Sequence, residues 1–136
     1  MIWIKALHTR KAYRAAGYTT EARGRLYHPE RPKYAAVPQG DGLFCLQRIT
    51  PEEYDGVFGF GAYCGTFGFH EERNGRIYSD NNTDSAFDLA AYRFVRIRRP
   101  EFESVFGRGS YNEVQKRHAA EWFKSAFGYD PDDKWY

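Results

Sequence analysis

Ala62-Tyr63-Cys64-Gly65-Thr66-Phe67-Gly68-Phe69-His70-Glu71-Glu72-Arg73-Asn74-Gly75-Arg76-Ile77-Tyr78-Ser79 is the stretch on which the reading of the fold turns. Over residues 62–72 Tyr63, Phe67 and Phe69 share one side and Thr66, His70 and Glu72 the other, the period of a half-buried strand. Asn74-Gly75 is the dipeptide of a two-residue type I′ turn, and Arg76-Ile77-Tyr78-Ser79 returns as the partner strand. An antiparallel hairpin is expected here, and the rest of the sheet builds outward from it.

Upstream, Ile2 and Ile4 alternate with Trp3 and Lys5 as a short opening strand. Thr9 stands where an N-cap belongs, before a helix over residues 10–16 that Gly17 would stop. That helix would show Arg10, Lys11 and Arg14 to water and bury Tyr13 and Ala16. Residues 19–26 read as a second strand. The prolines of His28-Pro29-Glu30-Arg31-Pro32 predict a loop. Residues 34–37 and 43–49 read as strands joined by the turn cluster Pro38-Gln39-Gly40-Asp41-Gly42. Thr50-Pro51-Glu52-Glu53 is a capping box with proline in the first helical position, and Gly56 keeps that helix short. Gly56, Gly59, Gly61, Gly65 and Gly68 match neither a dinucleotide fingerprint nor a Walker A loop. Their interleaving with rings, as in Phe58-Gly59-Phe60-Gly61, predicts strands or bulges where rings cover bare backbone.

Downstream, Asp80-Asn81-Asn82-Thr83-Asp84 reads as a polar loop, with Asp84 or Ser85 capping a brief helical turn. Residues 91–98 read as a strand with Tyr92, Phe94, Arg96 and Arg98 on one face. Arg99-Pro100 opens a short helix that Gly107 ends. Ser110-Tyr111-Asn112-Glu113 is a second capping box. Behind it Tyr111, Val114, His118 and Trp122, then Ala119, Phe123, Ala126 and Phe127, recur at three- and four-residue intervals, so a helix is expected over 111–127 with Gly128 as its stop. Asp130-Pro131-Asp132-Asp133-Lys134-Trp135-Tyr136 is an acidic tail with two aromatics. No internal repeat or low-complexity tract stands out. The expected fold is one compact α+β domain over residues 1–136. It has an antiparallel sheet of about five or six strands, one long C-terminal amphipathic helix packed on one face, and short accessory helices; the absence of strand–helix alternation argues against a doubly wound sheet.

The composition is unusual in its rings: eleven Phe, eleven Tyr and three Trp stand against one Met. Fourteen of the twenty basic residues are Arg, a side chain suited to carboxylate, phosphate and ring contacts. Charge is sorted along the chain. Residues 1–50 carry a net +6, residues 51–90 a net −6 and residues 91–136 a net +2, so a total of +2 hides a dipolar distribution. Surface potential of this kind selects partners and speeds their approach. No window is apolar enough for a membrane span. With no secretory segment after Met1 and no C-x-x-C pair, Cys45 and Cys64 are expected to be reduced thiols in a cytoplasmic protein.

No constellation assembles a catalytic or metal site. The 80–84 loop offers oxygen ligands in an EF-hand pattern but fails at the glycine and glutamate positions, where Ser85 and Ala91 stand. His8, His28, His70 and His118 form no zinc set. His118 is expected at the edge of the core. Cys64 and His70 are too far apart along a strand to act as a nucleophilic pair. Neither cofactor nor metal is expected.

The basic surface has more substance. Lys5, Arg10, Lys11, Arg14, Arg23, Arg25, Arg31 and Lys33, interleaved with Tyr13, Tyr18, Tyr27 and Tyr34, make an amino-terminal cation–ring set, and Arg93, Arg96, Arg98 and Arg99, with Tyr92 and Phe94, make a second. The expected contact residues among them are Arg10, Arg14, Tyr18, Arg23, Arg25, Tyr27, Arg31, Arg93, Arg96, Arg98 and Arg99. Arg96 and Arg98 also have an alternative use, pairing with Glu71 and Glu72 across a sheet. The expected function is that of a small non-enzymatic interaction protein, an inhibitor or adaptor of the kind carried by phages and mobile elements. It would dock on a protein partner through these residues, the types enriched in interface hot spots. Two other classes fit: nucleic-acid binding through the same cations and rings, although the pI of 8.5 is low for it, and a small enzyme using His28, His70, Glu71, Asp80 or Asp84. Self-association through opposite charges is compatible with the docking reading.

Overall fold

The computed structural model describes residues 6–128. The opening strand expected from Ile2 and Ile4 and the acidic tail lie outside the described residues. The chain divides into two compact units, Met1–Gly68 and Phe69–Tyr136.

In the first unit the elements run β1 (His8–Thr9), α1 (Arg10–Ala15), β2 (Thr20–Ala22), β3 (Arg25–His28), β4 (Arg31–Gly40), β5 (Leu43–Arg48), α2 (Pro51–Phe58) and α3 (Ala62–Thr66). The strands form an antiparallel sheet in the order β1-β5-β4-β3-β2. Successive strand residues point to opposite faces, so β3 sends Leu26 one way and Tyr27 the other, and both are fully buried. Leu26 joins Tyr13, Tyr18, Ala36, Phe44 and Leu46 in one core cluster. Tyr27 packs edge-on against Phe58 of α2, which also stacks on Tyr54.

In the second unit β6 (Glu71–Arg73), β7 (Arg76–Ser79), β8 (Asn82–Asp88) and β9 (Arg93–Arg96) form a four-stranded antiparallel sheet in sequential order, followed by α4 (Arg99–Phe106) and α5 (Ser110–Phe127). Tyr78, Ala86, Ile97, Phe102 and Val114 form its core cluster, so α4 and the first turns of α5 pack on one sheet face. The α+β class and the long C-terminal helix are as expected. The strands form two sheets, of five and four strands, where one was expected. Among the described residues no helix is long and apolar enough to cross a membrane.

The two units are a structural repeat, which corrects the reading that none exists. Gly24-Arg25-Leu26-Tyr27 recurs as Gly75-Arg76-Ile77-Tyr78, and Val57-Phe58-Gly59-Phe60-Gly61-Ala62-Tyr63 recurs as Val105-Phe106-Gly107-Arg108-Gly109-Ser110-Tyr111. Strand register repeats with them. Thr20 pairs with Tyr27 and Glu71 with Tyr78. Leu26 pairs with Ala36 and Ile77 with Phe87, with the same register shift one step later, between Tyr27 and His28 and between Tyr78 and Ser79. Tyr34 pairs with Arg48 and Ser85 with Arg96. Both helix pairs turn on a Gly-x-Gly corner with matching angles. Gly59 and Gly107 have φ of 107° and 101°, and Gly61 and Gly109 have φ of 82° and 87°, values that L side chains rarely adopt. Even the ring geometry repeats: Tyr54–Tyr63 and Phe102–Tyr111 meet edge-on at 6.2 and 6.4 Å.

One clamp recurs in both units. Glu53 of α2 accepts hydrogen bonds from Tyr27 Oη at 2.6 Å and Arg25 Nη1 at 2.7 Å. Glu101 of α4 accepts from Tyr78 Oη at 2.5 Å and Arg76 Nη1 at 2.7 Å, and Arg76 also reaches Asp88 at 3.0 Å. Burial and the carboxylate hydrogen bond push the Tyr27 and Tyr78 phenols up to about 12. Burial alone would raise Glu101, but the hydrogen bonds from Tyr78 and Arg76 together hold it below the usual carboxylate range.

Several local expectations change. Residues 62–66 are the helix α3, not a strand: Tyr63 and Phe67 lie four apart, a spacing that suits a helix as well, and Asp55 Oδ1 takes the Tyr63 N–H at 2.7 Å to start the turn. Residues 19–26 are a hairpin, because Arg23 and Gly24 adopt φ of 55° and 76° and reverse the chain. Asn82 to Ser85 belong to β8, so the polar loop expected over 80–84 shrinks to a turn at Asp80-Asn81 and no helical turn follows; Asn82 Oδ1 accepts the backbone N–H groups of Asp84 and Ser85. The second capping box does not form. Gly109 is the N-cap, and Ser110 Oγ donates to Gly107 O at 2.6 Å instead. In the first box Thr50 caps Glu53 N, while the Glu53 carboxylate serves the clamp. On α5 Val114 is buried, but Trp122 and Phe127 are exposed, so the predicted apolar face is covered only at its start. Cys45 and Cys64 are free thiols, as expected.

Glu53→Gln and Glu101→Gln should each lower stability by about 1–3 kcal/mol, the cost of disrupting a partly buried charge-assisted hydrogen-bond set. Urea unfolding midpoints of the two variants check this. A loss in one unit without the other would show that the clamp is not shared.

Candidate functional site

The register shift between β3 and β4 does more than bend a strand. Between the pairs His28↔Arg31 and Tyr27↔Ala35, β4 inserts Pro32, Lys33 and Tyr34. Such bulges re-aim side chains and tolerate proline inside a sheet. The loop expected over residues 28–32 is therefore a tight turn at Pro29-Glu30 that leads directly into this bulge.

These residues line a pocket of about 400 Å³ whose walls are Tyr18, Arg31, Pro32, Lys33, Tyr34, Leu46 and Phe67. Its surface is mostly apolar, and no acidic side chain lines it. Lys33 Nζ lies 5.6 Å from the centre of the Phe67 ring, and the Arg48 guanidinium lies 5.7 Å from that of Tyr34, both within cation–π range. Among the described residues neither Arg31 nor Lys33 forms an ion pair. Phe67 is 40% exposed.

The wall behind Tyr18 is held by His28. The two rings meet edge-on at 5.1 Å, and His28 Nδ1 accepts the Glu30 N–H at 3.0 Å. Gly17 makes room for this ring: a Cβ there would fall 2.4 Å from His28 Nε2, and its φ of 102° is itself a glycine conformation. Burial, then the nearby Arg31 charge, hold the His28 imidazole below its ordinary value. Burial also pushes the Tyr18 phenol up.

The expected site residues fall into five groups. Arg31 and Tyr18 line the pocket. Arg10 and Arg14 both pair with Glu21, Arg25 with Glu53, and Arg99 with Glu103 at 3.6 Å. Tyr27 is fully buried with its hydroxyl in the clamp, so its ring belongs to the core and offers no docking surface. Arg23 lies on the β2–β3 turn with its guanidinium against Gly56. Arg93, Arg96 and Arg98 are exposed on and beyond the edge strand β9 and form no ion pair among the described residues. Arg96 stands opposite Ser85, so the proposed pairing with Glu71 and Glu72 does not occur: β6 and β9 are opposite edges of their sheet.

Lys33 and Tyr34 belong to the amino-terminal cation–ring set, whereas Pro32, Leu46 and Phe67 are pocket residues that sequence reasoning did not select. The available signal was Pro32 inside a strand-like run, which marks a bulge. No group of three His, Cys, Asp or Glu that could hold a metal occurs among the described residues. Burial pushes the Cys64 thiol up to about 12, which leaves no thiolate at neutral pH. His118 faces Asn81 Oδ1 at 3.1 Å. Comparison with protein-family models, curated proteins and solved structures found no match to this chain.

A lowered folded-state pKa for His28 sets the sign of a pH effect. As pH falls below the ordinary imidazole range the unfolded chain takes up the proton first, so stability is lost on acidification and is fully present above that range. Between about pH 7.5 and about pH 5.5 the wild type should lose more melting temperature than His28→Gln. Equal losses would mean that this ring is not held neutral.

Proposed function

We propose that this chain is a non-enzymatic interaction protein, of inhibitor or adaptor type, that docks on a protein partner through the cation–ring face of its first unit. The observation that carries this reading is the pocket itself. It is an apolar hollow rimmed by Arg31 and Lys33, with no acidic residue in its lining. Interfaces concentrate binding energy in such places, where a central apolar anchor is surrounded by charges that orient the partner. Two free thiols support a reducing, cytoplasmic setting.

The nucleic-acid reading draws less support. Tracking a backbone needs a stripe of available cations, whereas Arg10, Arg14, Arg25 and Arg99 already face carboxylates. A pocket for one side chain also differs from the open ring platforms on which successive bases stack.

Affinity capture from a host lysate checks this reading. The wild-type chain should retain a protein partner after nuclease treatment, and Arg31→Glu/Lys33→Glu should lose it. Retention that vanishes with nuclease would favour nucleic acid, and retention unchanged by the double variant would remove the pocket from the interface.

A further inference from the structure

The repeat provides an internal control for what the fold requires. Both units build the same bulge. In the first it carries Pro32-Lys33-Tyr34, and in the second, at matching register, Thr83-Asp84-Ser85. Arg31 corresponds to Asn82, and Phe67, after α3, corresponds to Gln115 on α5. In the second unit Gln115 Nε2 donates to Thr83 Oγ1 at 2.8 Å, and Asn82 Oδ1 takes the Asp84 and Ser85 N–H groups. Phe94 stands where the first unit has Leu46, and its ring meets Phe69 at 4.8 Å. The corresponding positions of the second unit are thus joined to one another. The second unit builds this bulge with Asn82, Thr83, Asp84, Ser85 and Gln115 in place of Arg31, Pro32, Lys33, Tyr34 and Phe67, so Arg31, Lys33, Tyr34 and Phe67 are not there to make the bulge.

From this we infer that the first unit's pocket recognises an acidic peptide segment of the partner that carries an aromatic residue, its ring seated against Tyr18, Tyr34, Leu46 and Phe67 and its flanking carboxylates on Arg31 and Lys33. The inference rests on the docking reading above and assigns the chemistry of the partner. Three features carry it. A volume of about 400 Å³ lies at the small end of ligand pockets, about 300–1,000 Å³, and suits one side chain better than an extended cofactor. The lining is apolar and ring-rich, which favours edge-on or offset stacking with an incoming ring. Charge at the rim is of one sign: the two cations have no ion pair among the described residues, while the second unit has Asn82 and Asp84 at the same positions. Guanidinium and ammonium groups at an apolar rim meet carboxylates in charge-assisted hydrogen bonds.

The test uses the full chain and a fluorescein-labelled peptide Asp-Asp-Trp-Asp-Asp, read by fluorescence anisotropy. Lys33→Asp and Phe67→Gln install residues that the second unit carries at the matching positions, so both variants are expected to fold, and their melting temperatures verify it. The wild type should bind the peptide, and each variant should weaken binding about tenfold or more. Replacing the peptide's Trp by Ser, or its Asp residues by Asn, should weaken binding to a similar degree. No binding up to about 1 mM peptide, unchanged affinity in both folded variants, or tighter binding of an oligothymidine of similar length would overturn the inference. Should the peptide fail while partner capture still depends on Arg31 and Lys33, the ligand class is wrong and the docking reading stands. Should capture fail as well, both fall.

Discussion

A carboxylate at the start of a helix, gripped by a tyrosine and an arginine two residues apart on a strand, is the contact on which each half of this protein depends. Glu53 and Glu101 sit in the first turns of α2 and α4, and their partners Tyr27/Arg25 and Tyr78/Arg76 lie on β3 and β7, each one strand in from a sheet edge. A half-buried carboxylate left alone would be penalised by its lost hydration. Two charge-assisted donors offset that penalty and, being fixed in the sheet, also set where the helix starts. Once it is placed, Tyr54 or Phe102 drops into the core, the Gly-x-Gly corner turns the chain, and the second helix follows.

Building the same body twice separates what the fold needs from what a site adds. Strand register, the bulge, the corner glycines and the clamp are common to both units and belong to the scaffold. Departures from the common plan are then informative. The first unit fills its bulge with a proline, a lysine and a tyrosine and adds Phe67 beside them. The second fills it with small polar groups that bond to their neighbours. Bulges suit this use because the extra residues leave the ladder locally unpaired on one side, so side chains there can change without disturbing the strands.

Much of the local structure was legible from residues acting on their nearest neighbours. Thr9 and Thr50 cap helices, Gly107 and Gly128 end them, and Asn74-Gly75 turns a hairpin, because each effect is decided within four residues. The misreadings share another cause. At residues 62–66 the ring spacing satisfied both periods, and the choice was made by Asp55, a buried acceptor eight residues away. At residues 110–113 the capping side chain was taken by Gly107 O, a partner present only because the corner had already turned. The repeat was missed because the stretch between the paired residues Tyr34 and Arg48 is three residues longer than that between their counterparts Ser85 and Arg96, which moves the two matching motifs out of a common period.

Of the candidate site, the residue types were visible and their availability was not. An abundance of arginine and tyrosine is a matter of composition, but whether a guanidinium faces water or Glu21, and whether a ring lines a hollow or a core, depends on elements far apart in sequence. Caps, turns and the α+β class therefore belong to the chain as written, since short-range hydrogen bonding and side-chain alternation dictate them. The clamp and the pocket formed by residues 18, 31–34, 46 and 67 came from folding alone, because long-range register determines which side chains meet and which remain open to a partner.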